Sequence, residues 1–170
     1  HRHGLKRIEG DLNFEAAYGN FDEWLEAALF GTWSTDVLKA GTTAKSFTVE
    51  RAFNDVSEFH LFTGVMVNSL SLDIEPNAMV TGTMGLIGQD MTVASSTADN
   101  AGGITAAAAN DPFDGFTGSI QEGGGSVDNV TSFSLSLENN LAPAFVVGSD
   151  TTPQVLAGRS VLTGSLTSFF

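Results

Sequence analysis

Four segments of this chain share one pattern, and that pattern restricts the fold more than any other feature. A period of two sends successive side chains to opposite faces of a strand. In Val67–Ile74 the apolar residues Leu70, Leu72 and Ile74 oppose Ser69, Ser71 and Asp73. In Met79–Ile87, Val80, Met84 and Leu86 oppose Thr81, Thr83 and Gly85. Further on, Phe133, Leu135 and Leu137 oppose Ser132, Ser134 and Ser136, and Leu162 and Leu166 oppose Thr163, Ser165 and Thr167. Chance alternation accounts for any one of these segments but not for agreement among four. They predict a sheet with one apolar face and one face of short hydroxyls.

Two of the four segments repeat the other two. Val67-Asn68-Ser69-Leu70-Ser71-Leu72 returns as Val130-Thr131-Ser132-Phe133-Ser134-Leu135, and Thr81-Gly82-Thr83-Met84 returns as Thr163-Gly164-Ser165-Leu166. Glu75-Pro76-Asn77 supplies the turn of the first pair. The second pair is joined by a longer connection over Glu138–Arg159 that contains Pro143 and Pro153.

Elsewhere, Gly10–Tyr18 reads as a strand, and a helix follows over about residues 21–30. Asn20 stands at the N-cap position with Glu23 three residues on, and Gly31 is placed to end the helix. Phe21, Leu25, Ala28 and Leu29 form its apolar stripe. After the turn-rich stretch Gly31–Lys45, Ser46–Phe53 and Glu58–Thr63 read as two separate strands. Residues 90–128 are rich in Ala, Gly, Ser, Thr and Asp and read as a long loop or insertion. A small hairpin is expected near Gly118–Val127, with Gly123-Gly124-Gly125 at its tip. The chain is thus mainly β with one helix, and 170 residues fit a single domain over 1–170.

Charge narrows the function. Seven Lys and Arg face twenty Asp and Glu, a net charge of −13. Between Arg51 and Arg159 there is no Lys or Arg at all, while twelve acidic residues fall there. Binding to nucleic acid by phosphate neutralisation needs bases, so this surface repels a polyanion. Ordinary exposed sheet faces carry long solubilising charges, whereas this one carries Ser, Thr and an occasional carboxylate. Such a face suits the lining of a cavity or channel; the plainer reading is Thr used for its strand propensity.

No chemistry stands out. Cysteine is absent, which removes disulfides, thiolate metal sites and Cys nucleophiles. No apolar run approaches the ~20 residues that span a bilayer. His1 and His3 read as part of a basic terminus and His60 as a packed histidine. There is no G-x-S-x-G elbow, the triple glycine is not followed by G-K-[ST], and Asp111-Pro112-Phe113-Asp114-Gly115 lacks EF-hand spacing. No catalytic residue, cofactor or metal site is expected.

Several stretches resemble one family. They are Gly10-Asp11-Leu12-Asn13-Phe14-Glu15, Phe21–Ala28, Ser46–Arg51, Val67–Leu72, Pro76–Thr83, Pro143–Ser149 and Ala157–Ser160, in order along nearly the whole chain. Together they resemble the tail tube proteins of siphophages. The resemblance implies two packed antiparallel sheets, a sandwich or barrel, with a flanking helix. It also implies an internal portion of a longer protein, hexameric rings stacked into a hollow tube, and contacts with itself and with other tail proteins. DNA would pass the lumen without specific binding. The protein would be made in the bacterial host cytoplasm and reside in the virion, with no membrane association. On this reading the lumen candidates are Ser69, Ser71, Asp73, Glu75, Thr81, Thr83, Ser134, Ser136, Thr163 and Ser165. The alternatives are a β-sandwich module binding a ligand such as carbohydrate, and an acidic hydrolase on a β scaffold. Trp24 and Trp33 fall on or just after the helix rather than on a flat sheet face, which counts against the first alternative.

Overall fold

The computed structural model describes residues 4–97, 106–127 and 129–169. His1, His3 and the middle of the Ala/Gly-rich loop lie outside these residues. The elements are β1 (Ile8–Glu15), α1 (Asp22–Leu29), β2 (Trp33–Ser34), β3 (Val37–Leu38), β4 (Phe47–Phe53), β5 (Glu58–Ile74), β6 (Thr81–Gly88) and β7 (Asp90–Ala94). Then follow β8 (Gln121–Glu122), β9 (Gly125–Ser126), β10 (Val130–Glu138), β11 (Ala142–Ala144), β12 (Gln154–Leu156) and β13 (Val161–Ser168). The fold is mainly β with sandwich-like packing, and the described residues form no closed barrel.

One seven-stranded antiparallel sheet organises the molecule, in the order β1-β6-β5-β10-β13, with β4 and β7 pairing the first half of β5. The segments expected as two strands, Glu58–Thr63 and Val67–Ile74, are therefore one strand of 17 residues. Gly64 falls between the two segments without ending the strand. Its φ is +62°, and the Gln89 side chain occupies the space a Cβ would need. Across the bend, Gln89 N–H donates to Thr63 O at 2.9 Å. The supposed loop also starts later than expected, because Asp90–Ala94 pairs with Phe59–Thr63. The predicted small hairpin is present as β8 and β9, with Gly123 and Gly124 at its turn.

The sequence repeat is a structural pseudo-twofold. Leu72 and Leu135 are equivalent in the repeat, and they face each other directly in the β5–β10 register. Gly82 faces Leu72 as Gly164 faces Leu135. The symmetry stops at the edges: β1 lies beside β6, and no described strand lies beside β13. Phe14 from β1 covers Gly82 so closely that an added Cβ would meet its Cζ at 2.5 Å. At Gly164 the nearest atoms would stand at 3.5 and 3.7 Å.

Helix α1 packs on the apolar face, where Ala27 and Ala28 meet Val67, Leu70, Met84 and Leu137. The buried face is centred one position away from the expected stripe. Two small residues let the helix axis approach the sheet, while Phe21, Leu25 and Leu29 flank the contact half-buried. Trp24 stacks on Phe47 with ring centroids 4.3 Å apart. Asn20 does not cap the helix. Phe21 occupies the N-cap position without a side-chain bond, because the Asn20 amide is engaged with Ala108, accepting its N–H at 2.7 Å and donating to its carbonyl at 3.2 Å. Nor does Gly31 supply the left-handed end. Phe30 adopts φ 50°, and Gly31 is where the backbone of Lys39 comes close.

The carbonyls at the end of α1 are all accounted for, as burial requires. Gly31 N–H donates to Glu26 O and Phe30 N–H to Ala27 O, while Gly41 N–H donates to Leu29 O. Ala28 O accepts from the Asn139 side chain at 2.8 Å. Asn139 is fully buried. Its amide also donates to Val67 O at 3.0 Å, and its oxygen accepts from Ser160 Oγ at 2.7 Å. Val67 O is free for this bond because the β5–β6 register shifts between Val67 and Ser69. Glu26, also buried, accepts from Lys45 Nζ and from Trp33 N–H. The Lys45 bond first, and the Trp33 bond second, hold its carboxyl below the usual Glu range.

Three outcomes follow. Asn139→Ala leaves two buried carbonyls without donors, and at ~1–3 kcal/mol per orphaned group urea unfolding should show a loss of about 3 kcal/mol. Gly82→Ala should cost about 1–3 kcal/mol through overpacking against Phe14, whereas Gly164→Ala should be nearly neutral in the same measurement. Glu26 is stabilising in its charged form, so Glu26→Gln should lower the melting temperature at neutral pH. That difference should shrink as pH falls through the ordinary carboxylate range towards the lowered folded pKa, read by calorimetry across pH.

Candidate functional site: the hydroxyl face of the sheet

The register of β1-β6-β5-β10-β13 lines up complete rows of residues across five strands. Two rows point to the helix side: Leu12–Met84–Leu70–Leu137–Leu162 and Phe14–Gly82–Leu72–Leu135–Gly164. Alternate rows point the other way: Asp11–Gly85–Ser69–Glu138–Val161, then Asn13–Thr83–Ser71–Ser136–Thr163, then Glu15–Thr81–Asp73–Ser134–Ser165. Nine of the ten predicted positions thus fall on one continuous face. The tenth, Glu75, lies beyond the strand in the turn before β6, where Asn77 has φ 60°.

These side chains are half-exposed or exposed, in contrast to the opposite face, where Met84 and Val67 are sealed. The face carries four carboxylates (Asp11, Glu15, Asp73 and Glu138) and no base. Neighbouring strands are ~4.8 Å apart, so Glu15 and Asp73, flanking Thr81, stand two strands from each other in solvent. Little repulsion is stored there. Thr83 Oγ1 donates to Asn13 Oδ1 at 2.8 Å across the face, and Thr163 Oγ1 to Ser136 O at 3.4 Å. Strand β1 alternates Asp11, Asn13 and Glu15 with Leu12 and Phe14, but its place beside β6 rests on long-range pairing that its own pattern does not state. Those three residues extend the acidic face beyond the predicted set.

The two edges differ. Edge β1 carries Glu9, Asp11 and Glu15, whereas Ser160–Phe169, which includes β13, has no charged residue. Along the row that begins at Leu12, burial is complete at Met84 (0%) and lost at Leu162 (59% exposed), because α1 does not reach over β13. An uncharged, uncovered edge strand is a template for pairing with another chain.

No group of three or more His, Cys, Asp or Glu among the described residues is arranged to hold a metal ion. His60 packs against the Phe53 ring at 4.9 Å and lies 3.8 Å from Glu58. Asp114 is held below the usual Asp range, first by the Thr117 backbone N–H and then by the Thr117 hydroxyl. It closes the turn over residues 114–117. Trp33 donates its indole N–H to Asp22 O at 3.1 Å. No described helix is long and apolar enough to cross a membrane.

A family model described as phage tail tube protein matches residues 1–170. No curated protein matches the chain.

The two faces should answer differently to substitution. Thr163→Val and Ser165→Val, both on exposed positions, should change stability by less than ~0.5 kcal/mol. Leu70→Ala should cost about 2–5 kcal/mol. Equilibrium urea unfolding of the three variants checks the assignment.

Proposed function

Since the chain belongs to the phage tail tube protein family, a structural component of the virion's tail, we propose that residues 1–170 act as one unit that builds a ring, six copies around, and that rings stack into a tube whose wall faces inward with the hydroxyl face. The observation that carries this reading is the set of rows across five strands. They gather Ser69, Ser71, Asp73, Thr81, Thr83, Ser134, Ser136, Thr163 and Ser165 on one side, with Glu75 at the rim.

Physical reasoning supports the same assignment. The neutral edge of β13 favours addition of another copy, and a rotation that closes yields a finite ring. The acidic β1 edge cannot pair with itself without bringing carboxylates together. A lumen of short hydroxyls and carboxylates without bases offers DNA phosphates no counter-charge, so a passing genome is not held. The reading assigns the chain no catalysis. Its partners are further copies of itself and other tail proteins.

Negative-stain microscopy with mass photometry of the purified chain tests the assembly. Rings or tubes of even width are the expected result; particles that stay at 17.8 kDa at high concentration count against it. Leu162→Lys with Leu166→Lys, on an uncovered strand, should leave the fold intact by circular dichroism and abolish rings. Thr81→Lys with Ser165→Lys should still assemble but retain DNA in a salt-dependent manner, measured by co-sedimentation of tubes with linear duplex.

A further inference from the structure

Two largely apolar features lie at opposite ends of the five-stranded sheet, one of them edged by the carboxylates of Glu75 and Asp114. At the end marked by Ile74 and Phe133 is a groove lined by Ile74, Val80, Phe113, Ile120, Val127 and Phe133. The isolated bridges Ala17–Pro112 and Met79–Asp114 pin its outer wall to the ends of β1 and β6. At the other end, the loop between β11 and β12 presents Phe145, Val146 and Val147. All three are exposed, Val147 completely, and Gly148 turns the chain with φ 94°.

Register and hydrogen bonds fix the separation. Asn139, one residue past β10, bonds Asn68 O, and Leu141 N–H bonds the Asn68 side chain. Asp150 O accepts from Lys6 N–H, just before Ile8 pairs with Gly88. The loop therefore sits at the Asn68 end of the sheet and the groove at the Ile74 end. At ~3.3 Å per residue the strand between them is about 20 Å long.

The two ends also differ in their bases. Residues 13–22, 72–84, 110–127, 129–135 and 164–169, which build the groove end, contain no Lys or Arg. They include Glu15, Asp73, Glu75, Asp111 and Asp114. The loop end holds Lys6, Arg7 and Arg159 together with Glu9, Asp90, Glu138 and Asp150; Lys6 lies 3.5 Å from Asp90 and 3.7 Å from Asp150, and Arg7 pairs with Glu9. Arg159 has no carboxylate partner among the described residues.

We propose that the Phe145–Val147 loop of one copy seats in the Ile74–Phe133 groove of a second copy stacked on it end to end. The contact rests on the tail-tube reading and supplies the axial joint between its rings. A knob and a groove on opposite ends of one molecule form a heterologous contact, and copies stacked along the line joining the two ends repeat it into an open filament. The apolar loop leaves water for a largely apolar groove, while Arg159, without a carboxylate partner of its own among the described residues, approaches the acidic groove end.

The test uses the full chain. Val147→Asp alters a fully exposed residue, so its melting temperature and ring size should match wild type, while tube length in micrographs should fall at least tenfold. Val147→Leu should keep tubes. Because the chain contains no cysteine, Val147→Cys combined with Thr117→Cys should give a ladder of disulfide-linked copies in tubes under oxidising conditions. Val147→Asp tubes of wild-type length, or the absence of any cross-link in tubes of the double variant, overturns the joint. A wild-type chain that forms neither rings nor tubes overturns the tail-tube reading itself.

Discussion

The side chain of Asn139 holds the two layers of this protein in one arrangement. Its amide is sealed from water and spends both hydrogens and its oxygen on three different segments: the end of α1, the bulged carbonyl of β5 and Ser160 at the approach to β13. A buried amide has no neutral fallback, since each unmade bond costs the desolvation of the group left behind. Sliding the helix along the sheet, closing the bulge at Asn68 or shifting β13 would each break one of the three. Apolar contacts between Ala27, Ala28, Leu70 and Met84 supply the attraction, and the amide selects the register in which that attraction is collected.

The bulge makes this possible. An extra residue in β5 frees Val67 O from the β6 ladder and turns Asn68 so that its own carbonyl and side chain receive Asn139 N–H and Leu141 N–H. The second connection of the repeat, which the sequence shows only as a long Pro-containing segment, is tied down here by polar bonds and by the small cluster of Phe30, Met66, Ile87, Leu141 and Val155.

Period-two alternation, the turn at Glu75–Asn77 and the internal repeat were legible in the sequence because they are local. They sufficed to place nine of the ten lumen candidates on one face. Four features were not legible. Gly64 carries the same local signal whether it ends a strand or bends one, and only the packing of Gln89 against it decides. Asp90–Ala94 is too short and mixed to stand out, and it is a strand because residues 59–63 offer it an edge. Asn20 has the residue type and spacing of a helix cap, yet Ala108, distant in sequence, outcompetes the helix for its amide. Asn139 has no signature beyond an Asn-Asn pair at the close of an alternating strand.

Five strands alternate in direction from β1 to β13, and five is odd. The two outer strands therefore run the same way, although every pairing inside the sheet is antiparallel. A copy joined at either edge with its strands in the same sense meets a parallel seam, whose slanted bonds are slightly weaker per residue than those on either side. In an edge-to-edge assembly of this kind, the seam between copies would be slightly weaker per residue than the pairings inside each sheet. A wall built this way would part between subunits, leaving each one folded.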